Sequence, residues 1–208
     1  MNKKLLTLLV LFSSLLMISC SDDDNGIDEE WKSYNEDIYR KVVADPSFTA
    51  RKSSSGNGTV YWKWTDFFDK EDEKNNVTAK GLKATENGTP YVTDSVIVRY
   101  EGWYYLKDGT KYVFDSTEGD NNAQVGRGLR LSYIDSNGSL AGVVDGWRTM
   151  LTNMREGQAV EVCIPQELGY GSYGNYNSSG YQTLPGYTTL NFYIKLLKIV
   201  PDNPGEFD

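Results

Sequence analysis

Histidine is absent from the 208-residue sequence, and cysteine occurs only at Cys20 and Cys163. Without imidazole the chain cannot form a Ser-His-Asp or Cys-His triad, a histidine general base or the usual zinc sites. If Cys20 carries lipid, Cys163 has no second thiol for an internal disulfide. We therefore expect no metal and no cofactor, and a fold stabilised by its apolar core.

The sequence also has no excess of positive charge. The sequence has 21 basic and 29 acidic residues, which gives a formal net charge of −8. Nucleic acid and anionic membrane surfaces bind proteins through positive charge, so we expect no nucleic-acid partner. The length, with a hydrophobic content of 39%, suits one ordinary domain with extensions.

The sequence has one long apolar run, at residues 5–18, which follows Lys3 and Lys4. The run is too short to span a bilayer comfortably and is typical of the core of a signal peptide. Residues 16–20, Leu-Met-Ile-Ser-Cys, resemble the lipobox of bacterial lipoproteins, although Met17 stands where leucine is commoner. The resemblance implies that Cys20 receives a diacylglyceryl group before cleavage. The alternative is an ordinary signal peptide with an incidental cysteine.

We thus predict a signal peptide over residues 1–19, lipidation at Cys20 and an acidic tether over residues 20–27. The protein is then a membrane-anchored lipoprotein of a Gram-negative-type cell envelope, with the outer membrane as the expected location. Residues 21–24, Ser-Asp-Asp-Asp, fit either a signal for export to the cell surface or a solvated tether.

A helical extension is expected over residues 28–46. Acids cluster at its start, Arg40 and Lys41 lie near its end and Pro46 follows. Apolar residues recur at helical spacing, at Trp31, Tyr34, Ile38 and Val42. We predict an amphipathic helix over residues 28–43 that packs on the domain, as a spacer or as a site of dimerisation.

Residues 47–201 predict strands around one central helix, an α+β arrangement. Apolar positions spaced by three and four residues indicate that helix over residues 145–156, with Asp145 capping its start and Gly157 ending it. Charged residues 69–76 and tyrosine-rich residues 172–182 are expected to form surface loops. Alternating or β-branched runs predict strands at residues 59–64, 95–101, 112–115, 129–134, 160–164 and 190–196. In the fifth of these strands, Cys163 faces away from the apolar side.

Nine short motifs in this order resemble the FKBP family of peptidyl-prolyl cis-trans isomerases. They are residues 96–102, Asp108-Gly109, residues 114–116, residues 143–147, residues 154–158, Ile164-Pro165, Tyr170-Gly171, Leu184-Pro185 and residues 189–192. The motifs cover roughly residues 90–200. The resemblance implies a curved antiparallel sheet wrapped around one short helix, with an apolar pocket between them.

The resemblance also implies which residues form that pocket. Trp147 would be its floor, the backbone N–H of Val144 and the phenol of Tyr170 would donate to substrate carbonyls, and Asp115 would hydrogen-bond within the wall. The remaining expected lining residues are Tyr100, Phe114, Val143, Leu184 and Phe192. Residues 116–142 are longer than is usual in the family, and either Leu129 or Leu131 would replace a pocket aromatic that is not found there.

The expected activity is rotation of Xaa-Pro peptide bonds in proline-containing polypeptides, which requires no imidazole, metal or cofactor. Two alternatives remain open. An FKBP-like module could bind or chaperone polypeptides without turnover. The 15 tyrosines and 5 tryptophans could instead stack on sugars of a glycan.

Overall fold

The computed structural model describes residues 28–74, 88–118 and 126–202. Their main feature is a seven-stranded antiparallel sheet in the order β1-β2-β8-β11-β3-β4, with β5 also pairing with β3. The strands are β1 (Thr49–Lys52), β2 (Thr59–Trp64), β3 (Ser95–Tyr105), β4 (Lys111–Ser116), β5 (Arg127–Arg130), β6 (Ser132–Ile134), β7 (Leu140–Gly142), β8 (Ala159–Ile164), β9 (Asn175–Tyr176), β10 (Gln182–Leu184) and β11 (Leu190–Val200). The helices are α1 (Glu29–Ala44), α2 (Phe67–Lys74) and α3 (Asp145–Leu151).

The apolar core lies between α3 and the inner face of the sheet. Trp147, Met150 and Leu151 of α3 are almost fully buried against alternate residues of the central strands, which include Val98, Tyr100, Val162, Ile164, Phe192 and Ile194. The side chains that strand alternation in the sequence predicted to be buried are therefore the ones that lie in the core. An antiparallel sheet around one short helix, with an N-terminal helix, confirms the predicted fold class.

The central helix is shorter than predicted. α3 ends at Leu151, whereas the apolar spacing indicated a helix as far as residue 156. The N–H groups of Asn153 and Met154 donate to the carbonyls three residues earlier, which tightens the chain into a turn. Met154 is still fully buried, so the periodic burial continues although the helix does not. Gly157, at φ +83°, lies beyond the helix in the turn before β8.

Asp145 does not cap α3 as predicted. Val144 is the N-cap residue, and Asp145 already belongs to the first turn. The Asp145 carboxylate accepts hydrogen bonds from the hydroxyls of Ser53, at 2.9 Å, and Ser55. It therefore ties the start of α3 to the turn between β1 and β2.

The outer face of the sheet is covered by α1 and α2. The predicted N-terminal helix is present, and the Asp28 carboxylate caps it by accepting from the Trp31 N–H at 2.8 Å. Cys163 faces this side of the sheet and is buried, and desolvation raises the pKa of its thiol. A thiolate is therefore not formed at neutral pH.

The surface loop predicted over residues 69–76 is wrong for its described part, because residues 67–74 form α2. Phe67 stacks on Tyr193 of the outer face with ring centroids 4.2 Å apart, and Phe68 is fully buried. These tertiary contacts stabilise a short helix whose charged sequence shows little apolar periodicity.

Two small hairpins extend from the sheet. β6 pairs with β7, and β9 pairs with β10. The single strand predicted at 129–134 is interrupted at Leu131, which is buried in the core. The loop predicted at 172–182 instead contains most of the β9–β10 hairpin. No helix among the described residues is long and apolar enough to cross a bilayer.

Candidate active site

An open cavity of about 270 Å³ lies where α3 meets the inner face of the sheet. Its lining comes from five strands or strand ends, from α3 and from the segment after β8. The lining residues are Tyr100, Phe114, Asp115, Arg127, Leu129, Gly142, Val143, Val144, Trp147, Tyr170 and Phe192.

Aromatic rings form the apolar base of this cavity. Trp147, in the first turn of α3, meets Tyr100 and Phe192 edge to face, each at 5.1 Å between ring centroids. Phe192 in turn meets Phe114 at 5.6 Å. A Cβ on Gly102 would lie 2.4 Å from the Phe192 ring, so only glycine leaves room for these rings beside β3. Edge-to-face packing fixes the ring orientations beyond what burial alone would do.

One corner of the cavity is polar. The Asp115 carboxylate accepts hydrogen bonds from the Tyr100 hydroxyl at 2.6 Å and from the Arg127 guanidinium at 3.0 Å. Arg127 also donates to the Tyr100 hydroxyl, and its guanidinium lies 5.1 Å from the centre of the Tyr100 ring. Burial, and then the hydrogen bond to the Asp115 carboxylate, raises the pKa of Tyr100. Tyr100 therefore stays protonated at neutral pH and orients the carboxylate.

Val143, Val144 and Tyr170 form a further part of the cavity lining. Val144 joins β7 to α3 as the N-cap residue, with φ −58° and ψ 154°. Tyr170 follows a single turn of 3-10 helix at Gln166–Leu168. Burial, and to a lesser extent the charge of Asp115, raises the pKa of the Tyr170 phenol. The phenol is therefore a hydrogen-bond donor at neutral pH.

The structure brings together eight of the nine pocket residues expected from the sequence. The exception is Leu184, which ends β10 and is buried in the apolar core. Of the two leucines considered as replacements for an aromatic, Leu129 lines the cavity and Leu131 lies in the core. Cys20 lies outside the described residues, as do the predicted signal peptide and the whole of the predicted tether.

Besides Gly142, Arg127 is the cavity residue that sequence reasoning missed. It lies in the segment of residues 116–142, where the motifs are absent and the apolar pattern is weak. An arginine in such a segment has no local signal that distinguishes it from a solvated charge. In the described part of the chain, no group of three or more metal-ligating side chains is present.

These features define a class of protein: an α+β domain with an open aromatic cleft whose edge carries hydrogen-bonding groups. Residues 86–197 match the family model described as FKBP-type peptidyl-prolyl cis-trans isomerase. The chain belongs to this family, which confirms the prediction made from its motifs.

Known proteins similar to this chain include two from Escherichia coli K12. The FKBP-type 22 kDa peptidyl-prolyl cis-trans isomerase is 35% identical over 137 residues, which cover 60% of this chain and 56% of the relative. The FKBP-type peptidyl-prolyl cis-trans isomerase FkpA is 29% identical over 193 residues, which cover 87% of this chain and 60% of the relative. The matched regions thus span less than two thirds of the length of these relatives.

Solved structures support the same fold. A peptidyl-prolyl cis-trans isomerase from Pseudomonas syringae superposes with a TM-score of 0.52 at 21% identity, covering 83% of this chain and 96% of the other. The crystal structure of FkpA from Escherichia coli also gives a TM-score of 0.52 at 21% identity, over 84% of this chain and 62% of the other.

Proposed function

We propose that this protein catalyses cis-trans rotation of Xaa-Pro peptide bonds in polypeptides. The observation that carries the proposal is the convergence of eight family-pattern residues, from Tyr100 to Phe192, on one aromatic cavity. These residues come from β3, β4, the β7–α3 junction, α3, the segment after β8 and β11. Family membership supports the same activity.

The chemistry requires the cavity to favour a twisted imide over a planar one. Rotation about a peptide bond faces a barrier of about 18–20 kcal/mol, because resonance gives the C–N bond partial double-bond character. The planar imide has the greater charge separation, so an apolar, water-poor cavity disfavours it more than the twisted state. A reduction of about 5 kcal/mol would accelerate rotation by roughly 10³ to 10⁴.

Each part of the cavity has a role in this scheme. The rings of Trp147, Phe114 and Phe192 enclose the proline and exclude water. The Val144 N–H and the Tyr170 phenol bind carbonyls of the peptide and hold it in the twisted geometry. Asp115 and Arg127 keep Tyr100 oriented at the polar corner. No proton transfer and no covalent intermediate is needed.

The decisive test is a proline-isomerisation assay on the full chain in a mild detergent, with an apolar-Xaa-Pro peptide. Phe114→Ala removes one aromatic wall and should lower kcat/KM by tenfold or more, which corresponds to at least about 1.4 kcal/mol of transition-state stabilisation. The matched control is Val113→Ala, which trims an exposed neighbour on β4 outside the cavity. Circular dichroism must show that both variants are folded.

The alternative of a non-catalytic polypeptide-binding module uses the same cavity, so turnover separates the two. A wild-type chain that binds the proline peptide without accelerating its isomerisation would establish the binding module. Equal rates for the wild type and Phe114→Ala would also contradict the isomerase proposal.

We further propose that Cys20 anchors the protein to a membrane of a Gram-negative-type envelope. The short apolar run before the cysteine and the polar residues after it support this proposal. Several acyl chains on one cysteine would hold a protein stably, whereas a single chain holds it only marginally. The outer membrane as the location, and dimerisation through α1, are parts of the same proposal that the sequence pattern alone motivates.

A further inference from the structure

The N-terminal helix α1 is bonded to the loop of residues 185–189, which precedes β11. The indole N–H of Trp31 donates to the Gly186 carbonyl at 3.0 Å and to the Thr188 hydroxyl at 3.2 Å. One turn later, the Asn35 amide oxygen accepts from the Thr189 N–H and the Asn35 carbonyl accepts from the Thr189 hydroxyl, both at 2.9 Å. Trp31 and Asn35 are buried, so water does not compete for these bonds.

The 185–189 loop in turn contacts the segment of residues 170–174, which begins with the cavity residue Tyr170. The Tyr187 N–H donates to the Gly171 carbonyl at 2.8 Å. The two backbones touch, since a Cβ on Gly186 would lie 2.0 Å from the Ser172 carbonyl oxygen. A displacement of the 185–189 loop is therefore passed directly to the segment that carries Tyr170.

The backbone of Tyr187, in this loop, has a conformation that non-glycine residues rarely adopt. Tyr187 is the one non-glycine residue at positive φ in the described part of the chain, at +59°. This conformation is unfavourable for a residue with a Cβ, because the Cβ comes close to the following carbonyl oxygen. It is retained between the bonds from Trp31 to its neighbours and its own bond to Gly171, with the Lys32 ammonium 5.3 Å from the centre of its ring.

A second path leads from α1 to the aromatic wall. Trp31 meets Tyr104 edge to face at 5.9 Å between ring centroids, and Tyr104 meets Phe114 at 6.2 Å. Trp31 itself does not line the cavity. Its side chain thus lies behind two walls of the cavity, at Phe114 and at Tyr170.

We propose that Trp31, supported by Asn35, is a positioning residue for the isomerase cavity. α1 lies outside the family-matched residues 86–197, so this chain would complete the family pocket with an element of its own N-terminal extension. The inference rests on the proposed isomerase activity. Displacements well below 1 Å in binding groups reduce catalysis, so a support behind Tyr170 and Phe114 should affect turnover without contact with substrate.

The test compares two Trp31 variants with a matched control on the same helix in the full chain. Trp31→Phe keeps a ring against Tyr104 but removes the N–H donor, and Trp31→Ala removes both. The control Tyr39→Phe deletes the hydrogen bond from the Tyr39 hydroxyl to the Thr59 carbonyl, at 2.7 Å, near the other end of α1. At a temperature where all variants are folded, we expect kcat/KM to fall about threefold to tenfold in Trp31→Phe and further in Trp31→Ala. Tyr39→Phe should stay within about twofold of the wild type.

A second measurement does not depend on turnover. The backbone amide resonances of Gly171 and Gly174 should shift in Trp31→Phe and stay in place in Tyr39→Phe. Unchanged kcat/KM in folded Trp31 variants of an active enzyme would overturn the proposal, whatever the resonances do. If Trp31→Ala fails to fold, Trp31→Phe decides. A wild type without turnover would contradict the isomerase function, and the resonances would then decide alone whether Trp31 positions the Tyr170 segment.

Discussion

At the scale of single residues, the cavity combines an aromatic base with hydrogen-bonding groups that differ in exposure. Tyr170 is half-buried and offers one neutral donor. Asp115 is about two fifths exposed, and so is Arg127, so their ion pair is weakened by solvent. The bond from the Tyr100 hydroxyl to the Asp115 carboxylate is better shielded and is the main contribution of Asp115 to the wall.

Tyr170→Phe should lower kcat/KM moderately, because it deletes one neutral hydrogen bond worth about 0.5–1.5 kcal/mol.

Asp115→Ala should lower kcat/KM roughly tenfold, a loss of about 1.5 kcal/mol of transition-state stabilisation, because it leaves the Tyr100 hydroxyl without its charged acceptor. Both rates are measured in the isomerisation assay on variants with wild-type circular dichroism. A loss larger for Tyr170→Phe than for Phe114→Ala would show that hydrogen bonding contributes more than the aromatic wall.

At the scale of elements, α2 is fixed to the outer face of the sheet by a buried arginine. Arg99 of β3 is 4% exposed, donates to Asp72 of α2 at 2.6 Å and pairs in bidentate fashion with Glu118. The Arg99 guanidinium also lies over the Phe68 ring, at 5.3 Å from its centre. Such a cluster stabilises the fold only while every charge retains its partner.

Arg99→Met should therefore lower the free energy of unfolding by about 3–5 kcal/mol, since it leaves the buried carboxylate of Glu118 without a cation and that of Asp72 with only Lys195, 4.0 Å away. Lys70→Met is the matched control on α2, because it removes an exposed ion pair with Asp66 and should cost at most about 1 kcal/mol. Urea unfolding followed by circular dichroism measures both variants. Equal losses for the two would refute a structural role for the Arg99 cluster.

For the molecule as a whole, buried and half-buried tyrosines should make the free energy of unfolding sensitive to alkaline pH. Desolvation is the main cause that raises the pKa of Tyr39, Tyr100 and Tyr170, and it raises the pKa of Tyr193 to about 12. An unfolded tyrosine has a pKa of about 10. The folded state thus keeps protons that the unfolded state releases. The free energy of unfolding therefore keeps its full value below pH about 10 and decreases as the pH rises towards and beyond 12.

We expect the free energy of unfolding to be insensitive to tyrosine ionisation up to pH about 9 and to decrease above pH about 10. Urea unfolding at a series of pH values, with tyrosinate absorbance as a second signal, measures this. Tyr193→Phe should reduce the slope of the free energy of unfolding against pH above pH about 10. Tyr173→Phe should leave that slope unchanged, because Tyr173 is exposed. The same slope in all three proteins would assign the pH dependence to other groups.

The proposed anchor is tested in a Gram-negative host by fractionation. Cys20→Ala should leave the membrane fraction or accumulate with its leader uncleaved, because it removes the site of acylation. Cys163→Ala is the control, since Cys163 is buried within the domain. Normal processing and full membrane retention of Cys20→Ala would contradict lipidation at this position.

The sequence by itself determined the family, the fold class and most of the cavity. Strand alternation in β3, β8 and β11 selected the buried side chains, because neighbouring residues of a strand face opposite sides of a sheet. The order of motifs identified Tyr100, Phe114, Asp115, Val143, Val144, Trp147, Tyr170 and Phe192, which meet in the structure. These are features that local chain geometry or a family pattern encodes.

Only the tertiary structure decided the features that depend on residues distant in sequence. α2 forms because Phe67 and Phe68 pack against residues of β11 and β3. Arg127 lines the cavity because β5 pairs with β3. Leu184 turns into the core, and Trp31 bonds to a loop 155 residues away. Each of these outcomes depends on which surfaces meet after folding, and a linear pattern of residue types does not record that.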